Sequence, residues 1–135
     1  MKVLFDTNVV LDVLLDRKPY SNASAQLFSK VESGDIVGYI CATTVTTIHY
    51  FAVKVVGAGK AKSEIDKLLT LFEIAPVNRA VLENAATSNI TDFEDAVIHE
   101  AARHVGVDAI VSRNIKDFKR ALLPVYTPNE LSKTL

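Results

Sequence analysis

Cysteine, glycine, proline and net charge are all scarce in this sequence of 135 residues. Cys41 is the only cysteine, so the chain cannot form an internal disulfide or a cysteine-based zinc site, and it suits a reducing compartment. Lysine plus arginine number 15 against 16 aspartate plus glutamate, which leaves no broad basic surface of the kind that dominates nucleic-acid affinity. Any binding of nucleic acid must therefore come from a local patch.

Long apolar runs are also absent. No stretch approaches the ~18 consecutive apolar residues of a membrane span. The apolar residues that follow Lys2 end at Asp6, which is too short a run for a signal peptide. We expect a soluble, cytoplasmic protein. Its length and its 49% hydrophobic content favour one globular domain over residues 1–135.

Short apolar segments alternate with segments of helical periodicity along the chain. The predicted strands are Lys2–Phe5, 36–42, 72–77, Ala109–Val111 and 124–126. Five predicted helices are 9–15, 23–31, 60–71, 93–104 and 128–131, with Thr91 or Asp92 as the cap of 93–104. Two more are predicted, one that Thr43 or Thr44 caps and that ends near Gly57, and one that Asn78 opens and that runs through Ala85. Such alternation is typical of βαβ units. We therefore predict an α/β fold with three α/β/α layers around a central parallel sheet of four to five strands.

Acidic side chains follow two of the predicted strands and open one predicted helix. They are Asp6 after the first strand, Asp117 after Ala109–Val111, and Asp92, Glu94 and Asp95 at the start of helix 93–104. Each has an ordinary structural role when taken alone, as a helix cap or as an anion near a helix N-terminus. The carboxyl ends of parallel strands, however, meet in one crevice. Repulsion among carboxylates gathered there is relieved by a divalent cation, and hard oxygen ligands suit Mg²⁺ or Mn²⁺.

Several other reactive side chains lack the neighbouring residues that metal binding or catalysis would require. His49, His99 and His104 have no metal-ligand spacing with one another or with Cys41, so we assign them structural roles. Ser112 lacks the flanking glycines of a nucleophile elbow. The glycine-containing segment 57–60 lacks the spacing of a phosphate-binding loop.

Four segments of the chain resemble motifs of the PIN-domain family. They are residues 2–12, which read KVLFDTNVVLD, residues 93–97, which read FEDAV, residues 110–118, which read IVSRNIKDF, and residues 124–131, which read PVYTPNEL. They span nearly the whole chain in the family's order. The resemblance implies the PIN fold and a Mg²⁺-dependent (or Mn²⁺-dependent) ribonuclease that activates water for attack on an RNA phosphodiester.

The resemblance also implies roles for individual residues. Asp6, Asp95 and Asp117 are expected to be catalytic and to bind the metal, with Asp92 as a further metal ligand. The residues expected to orient ligands or substrate are Asn8, Thr47, Ser112, Arg113 and Asn114. Helical spacing places Asp92 and Asp95 on nearby faces and predicts that Glu94 points elsewhere.

The chain departs from the family pattern at two of these positions. Thr47 stands where many active members carry glutamate, and Asn114 stands where many carry aspartate. The departures lower the negative charge of the site, which is expected to weaken binding of a second metal and to reduce turnover. They leave open a different function, a PIN-like module that binds nucleic acid or protein without catalysis.

The favoured function is a ribonuclease similar to PIN-domain toxins of the VapC type. Such toxins act on RNA, are neutralised by a protein antitoxin and commonly form homodimers, so RNA, an antitoxin and a second copy of the chain are the expected partners. A phosphatase-like domain built on Asp6 ranks last, because no second aspartate stands two positions on. Four basic residues lie within or just after the segment 110–118, and they either bind phosphates or are only solvated. They are Arg113, Lys116, Lys119 and Arg120.

Overall fold

A five-stranded parallel sheet forms the centre of the computed structural model, which describes residues 1–135. The strands are β1 (Lys2–Phe5), β2 (Val37–Cys41), β3 (Glu73–Ala75), β4 (Ala109–Val111) and β5 (Val125–Tyr126). Their order across the sheet is β3-β2-β1-β4-β5, and every neighbouring pair is parallel. The predicted parallel sheet is confirmed, although β2, β3 and β5 are each shorter than the apolar segments suggested.

Seven α-helices connect and cover the strands. They are α1 (Thr7–Leu14), α2 (Ser21–Glu32), α3 (Ala42–Val56), α4 (Ala58–Leu71), α5 (Arg79–Ala86), α6 (Phe93–Val105) and α7 (Pro128–Thr134), with one 3₁₀ helix at Ile115–Phe118. None of the helices has both the length and the apolar character to cross a bilayer.

The alternation of side chains along β1 divides the core into two layers. Val3 and Phe5 are fully buried in one cluster, together with residues of α1, α2, α3, α4 and α7. Leu4 points to the other face and is buried against α5 and α6. Because both faces of the strand are covered, the apolar run is continuous, as expected for a parallel sheet between two helical layers. The predicted three-layer α/β/α architecture is confirmed.

Helix starts were predicted well where a side chain caps the helix and less well elsewhere. Asn78 and Asp92 cap α5 and α6 as predicted, accepting hydrogen bonds from the backbone N–H groups of Val81 (3.0 Å) and Asp95 (3.0 Å). By contrast, α3 begins at Ala42, before the threonines that we expected to cap it. Thr44 is buried and hydrogen bonds instead to the hydroxyl of Thr7 (2.9 Å), which ties α3 to α1.

The strand order creates a switch point between β1 and β4. From β1 the chain moves outward through β2 to β3, and it then returns to place β4 and β5 on the other side of β1. Connections leaving β1 and β4 therefore diverge and leave a crevice at their carboxyl ends, where ligands bind in open α/β sheets. Asp6 follows β1 directly and Ser112 follows β4.

Candidate active site

A cleft of about 300 Å³ opens at the carboxyl ends of β1 and β4. Its acidic lining residues are Asp6, Asp92, Glu94, Asp95 and Asp117. Its other lining residues include Asn8, Thr47 and Asn114, and no lysine, arginine or histidine is among them. The structure thus brings together, from three separate parts of the chain, the carboxylates that the sequence placed at one sheet edge.

Asp6 is the most buried carboxylate of the cleft, with 5% of its surface exposed. It is the N-cap of α1, and its Oδ1 accepts a hydrogen bond from the N–H of Thr7 (2.9 Å). Its own N–H donates to the carbonyl of Val111 (2.9 Å), so its position is fixed by the pairing of β1 with β4. Burial raises the pKa of Asp6, and the hydrogen bonds it accepts oppose that rise.

Ser112 orients Asp6 from the neighbouring strand. Its hydroxyl donates to Oδ2 of Asp6 (2.7 Å) and accepts from the N–H of Asn114 (3.0 Å). Ser112 is fully buried, so the hydrogen bond is shielded from water. The expected orienting role of Ser112 is consistent with this geometry, whereas nothing in the sequence singled out Asp6 as its partner.

Asp95 lies half-buried in the first turn of α6. Partial burial and the negative charges of Asp6 and Asp92 raise its pKa to about 7. Asp117, in the 3₁₀ helix Ile115–Phe118, acts in the same direction on both Asp6 and Asp95. These effects show that the carboxylates lie close enough to repel one another, which is the condition that a bound cation relieves.

Glu94 also lines the cleft, so the prediction that it points elsewhere is wrong. The prediction treated Asp92, Glu94 and Asp95 as residues of one regular helix. Asp92 is instead the N-cap with extended backbone, and Glu94 is an exposed first-turn residue with a long side chain. Helical spacing does not determine directions across a helix terminus.

Asn8 lines the cleft but is held from the side by an arginine. The Arg17 guanidinium approaches the side-chain oxygen of Asn8 (3.3 Å) and its backbone carbonyl (3.4 Å). No hydrogen bond joins Asn8 to Asp6; the hydrogen bonds that orient this aspartate come from Ser112 and the Thr7 N–H.

Thr47 faces the cleft from α3, at the position where the resemblance placed glutamate. Its hydroxyl donates back to the carbonyl of Thr43 (3.2 Å). This bond is a common one for threonine inside a helix. The side of the cleft formed by α3 therefore contributes no carboxylate.

Arg113 does not line the acidic cleft itself, but it lines a neighbouring cavity that shares Asn114 and Asp117 with the cleft, so its expected role toward substrate stays a prediction. Its Nε lies 3.1 Å from Oδ2 of Asp12, and its guanidinium lies over the ring of Tyr20 at 4.1 Å. Arg17 pairs with the other oxygen of Asp12 at 2.8 Å. The arginine is thus used to neutralise a buried aspartate behind the site.

Asp12 is the functional candidate that sequence reasoning missed. It is fully buried and pairs with two arginines. Arg17 contacts Asn8, and Arg113 directly precedes Asn114, so Asp12 supports two residues that line the cleft. One signal was available, since Asn8 and Asp12 are four residues apart and so share a face of α1. An aspartate within an otherwise apolar run has to be paired if that run is buried.

The donor set of the cleft suits a hard divalent cation. Carboxylate and amide oxygens are the ligands that Mg²⁺ and Mn²⁺ prefer, and no sulfur or imidazole group lies among them. No three acidic or histidine side chains already stand in a geometry that encloses an ion. Mg²⁺ usually keeps several waters and takes only one or two carboxylates, so this spacing does not conflict with the chemistry of the lining.

The histidines lie outside the cleft. His99 is buried on α6, where its Nε2 accepts from the N–H of Leu122 (3.0 Å) and its Nδ1 faces Glu100 (3.0 Å). His104 pairs with Asn84 (2.9 Å). These contacts support structural roles for both residues, as predicted.

The family is decided by a match to most of the chain. A family model described as PIN domain matches residues 2–116. The chain belongs to the PIN-domain family. Asp6 and Asp95 lie within the matched part of this PIN domain, and Asp117 lies one residue beyond it.

Relatives and solved structures agree with that assignment. Ribonuclease VapC1 from Aquifex aeolicus (strain VF5) is 28% identical over 134 residues, covering 96% of this chain and 92% of the relative. VapBC2 from Rickettsia felis, solved bound to a DNA fragment from its promoter, superposes with a TM-score of 0.71 at 19% identity, covering 94% of this chain and 98% of the solved one. A toxin-antitoxin complex from Klebsiella pneumoniae superposes with a TM-score of 0.71 at 22% sequence identity, covering 93% of this chain and 97% of the solved one. These superpositions establish the PIN fold.

Proposed function

We propose that this PIN domain is a Mg²⁺-dependent (or Mn²⁺-dependent) endoribonuclease that hydrolyses RNA phosphodiester bonds. The observation that carries the proposal is the convergence of five carboxylates on one cleft at the switch point of the sheet. Structural roles explain these carboxylates one at a time, but no structural role explains their gathering without a neutralising group. The similarity to a protein named Ribonuclease VapC1 supports the nuclease activity.

Asp6, Asp95 and Asp117 would hold the cation, with Asp92 as a further ligand. A cation held there would neutralise the negative charge that develops on the phosphate oxygens during hydrolysis. The remaining work belongs to residues of the chain. Ser112 and the Thr7 N–H fix the Asp6 carboxylate before substrate arrives, and Asn114, held through its N–H by Ser112, presents an amide to the same cleft. Such fixed polar groups need no reorganisation during the reaction.

The nuclease proposal is tested by cleavage of a mixed set of single-stranded and structured RNAs with Mg²⁺ or Mn²⁺. The wild type is compared with Asp6→Asn, purified identically. The substitution removes the charge and keeps the shape, so we expect cleavage to fall by at least 100-fold. Equal cleavage by the two proteins would place the activity in a contaminant and overturn the proposal.

We further propose that the protein is the toxin of a toxin-antitoxin pair, acting in the cytoplasm as a single domain over residues 1–135. Its partners would be RNA, an antitoxin protein and a second copy of the chain. The solved toxin-antitoxin complexes with the same fold support this role. Exposed apolar residues on α3, namely Tyr50, Phe51, Val55 and Val56, offer a surface for a protein partner.

The toxin role is tested by expressing the protein in a bacterial host. We expect growth arrest with the wild type and none with Asp6→Asn. Light scattering of the pure protein tests the dimer.

One observation favours a second candidate function, a PIN-like module that binds without cleaving. Thr47 leaves the α3 side of the cleft without a carboxylate. Thr47→Glu adds one where the family resemblance places glutamate, and Thr47→Gln is its uncharged control. If the wild type is inactive and Thr47→Glu alone gains metal-dependent cleavage, the module is the correct function. If the wild type already cleaves RNA, the module is excluded.

A further inference from the structure

Glu94 lines the acidic cleft without a partner inside the protein. Its side chain takes part in no hydrogen bond and in no ion pair. Its neighbour Asp92, by contrast, uses one carboxylate oxygen to cap α6, where it accepts from the N–H of Asp95 (3.0 Å). The carboxylate of Glu94 is therefore free to bind a ligand in the cleft.

The first turn of α6 explains how Glu94 and Asp95 can both reach the cleft although they are adjacent in the chain. Side chains of an α-helix lean toward its N-terminus, and the N-terminus of α6 lies at the cleft, where Asp92 caps it. Glu94 is exposed, and its side chain is longer than that of an aspartate. Its carboxylate can therefore adjust its position to a ligand.

The charge of Glu94 acts on two of the expected metal ligands. Burial contributes most to the raised pKa values of Asp6 and Asp95, and the negative charge of Glu94 adds to the rise in both. Repulsion between charges falls with their separation, so the Glu94 carboxylate lies near both aspartates. A cation that binds Asp6 and Asp95 would therefore also attract Glu94.

The α3 side of the cleft lacks a charge that a metal site would use. Thr47 faces the cleft there, and its hydroxyl donates to the carbonyl of Thr43 (3.2 Å). Affinity for a divalent cation depends on how many charged ligands the site supplies. A further carboxylate from α6 would raise the negative charge of the site without any change in α3.

We propose that Glu94 is a ligand of the cation in the acidic cleft and supplies the negative charge that Thr47 does not. The inference rests on the proposed function, because it assumes that the cleft binds Mg²⁺ or Mn²⁺. The competing role for Glu94 is a structural one, since acidic residues in a first turn interact favourably with the helix macrodipole. The two roles differ in what removal of the charge does to metal affinity.

Isothermal titration calorimetry with Mn²⁺ alone, without RNA, tests the ligand role. The wild type is compared with Glu94→Gln and with the control Glu83→Gln, which removes an exposed charge on α5. We expect about tenfold weaker Mn²⁺ binding for Glu94→Gln and no change for Glu83→Gln. The loss should persist at ~1 M salt, where remote charges are screened within about 3 Å.

Two results of the titration would overturn the proposal. One is an equal Mn²⁺ affinity in all three proteins, and the other is a loss in Glu94→Gln that disappears at high salt. A lower melting temperature of Glu94→Gln in EDTA, together with unchanged Mn²⁺ affinity, would assign Glu94 to the helix macrodipole instead.

A carboxylate placed on α3 tests whether Glu94 offsets the missing charge. Glu94→Gln is combined with Thr47→Glu, and the matched control combines it with Thr47→Gln. We expect the Mn²⁺ affinity to return toward the wild-type value only in the double variant that gains a carboxylate. Equal affinities of the two double variants would overturn this part of the proposal.

RNA cleavage separates this inference from the nuclease proposal. Glu94→Gln should cleave slowly at low Mn²⁺ concentration and recover at saturating Mn²⁺, because the variant has lost metal affinity. Weaker Mn²⁺ binding by Glu94→Gln, without cleavage by any of the proteins, would uphold the ligand and reject the nuclease. Cleavage by the wild type, with unchanged Mn²⁺ binding in Glu94→Gln, would uphold the nuclease and overturn the ligand. No Mn²⁺ binding by the wild type would reject both.

Discussion

The hydroxyl of Ser112 donates a hydrogen bond of 2.7 Å to Oδ2 of Asp6, joining residues that are 106 positions apart in the chain. The contact exists because β1 and β4 are paired in parallel, with Phe5 opposite Val111, so that the residue following each strand meets the other. The central aspartate of the cleft is thus oriented by the topology of the sheet.

Replacing Ser112 with alanine tests this relationship. The substitution removes a buried hydrogen bond to a carboxylate, which is worth about 2 kcal/mol of unfolding free energy. It also removes an influence that lowers the pKa of Asp6, so that pKa should rise further. We expect a lower urea midpoint, weaker cleavage, and an acidic limb of the pH profile shifted upward.

Ser112→Thr is the matched control, because it keeps the hydroxyl and should restore the wild-type pH profile. An unchanged pH profile in Ser112→Ala would show that the bond has only a structural role.

Asp12 provides a second prediction, concerning stability. It is fully buried between Arg17 and Arg113, and removal of its charge leaves two arginines without their anion. Breaking a buried pair typically costs 3–5 kcal/mol, so we expect Asp12→Asn to lower the unfolding free energy by about 3 kcal/mol.

The control for Asp12 is Glu64→Gln, which breaks the surface pair with Lys67 and should cost less than about 1 kcal/mol. Equal effects of the two substitutions in urea unfolding would show that the Asp12 cluster contributes no more than a surface pair.

The alternation of strands and helices, the parallel sheet and the convergence of Asp6, Asp95 and Asp117 were all predictable from the sequence. Each depends on local signals, namely apolar runs, caps, and carboxylates placed after strands. The pairing of Arg113 with Asp12 was not predictable, because it joins side chains distant in the chain whose directions depend on packing. The start of α3 was missed for a similar reason, since Thr44 hydrogen bonds to Thr7 of another helix instead of capping its own.

A third prediction concerns Asp95 and metal. In the metal-free protein its pKa is about 7, against an ordinary value of 3.8, so the folded state favours the protonated acid. The contribution of protonated Asp95 to the free energy of unfolding is fully present below pH 3.8 and is lost as the pH rises through 7. At pH 8 in EDTA, Asp95→Asn should therefore be more stable than the wild type.

Thermal unfolding checks the Asp95 prediction. Mg²⁺ or Mn²⁺ should raise the melting temperature of the wild type and of the control Asp66→Asn, an exposed aspartate of α4, but not that of Asp95→Asn. An equal metal response in all three proteins would remove Asp95 from the cation site.

A fourth prediction concerns acid stability. Burial lowers the pKa of His99 below 6.5, with the charge of Glu100 opposing this shift and that of Arg103 adding to it. The folded protein keeps the ring neutral, with Nε2 accepting from the Leu122 N–H. As the pH falls below 6.5, His99 becomes protonated in the unfolded chain but stays neutral in the folded one. The contribution of His99 to the free energy of unfolding is therefore present above pH 6.5 and is lost on acidification.

Urea unfolding between pH 7.5 and 5 compares the wild type with His99→Gln, which retains an acceptor for Leu122 but does not titrate. We expect the wild type to lose more stability than the variant over this range. Parallel pH dependences would contradict the account of His99.

The central claim is that the acidic cleft is a metal-dependent centre for RNA hydrolysis. Its most direct test is the rate of cleavage of one defined single-stranded RNA by the wild type, Asp95→Asn and Asp66→Asn, each with Mn²⁺ and again after excess EDTA. The account predicts cleavage by the wild type and Asp66→Asn that EDTA abolishes, and at least a 100-fold lower rate for Asp95→Asn. Cleavage that persists in EDTA, or that is equal in all three proteins, would contradict it.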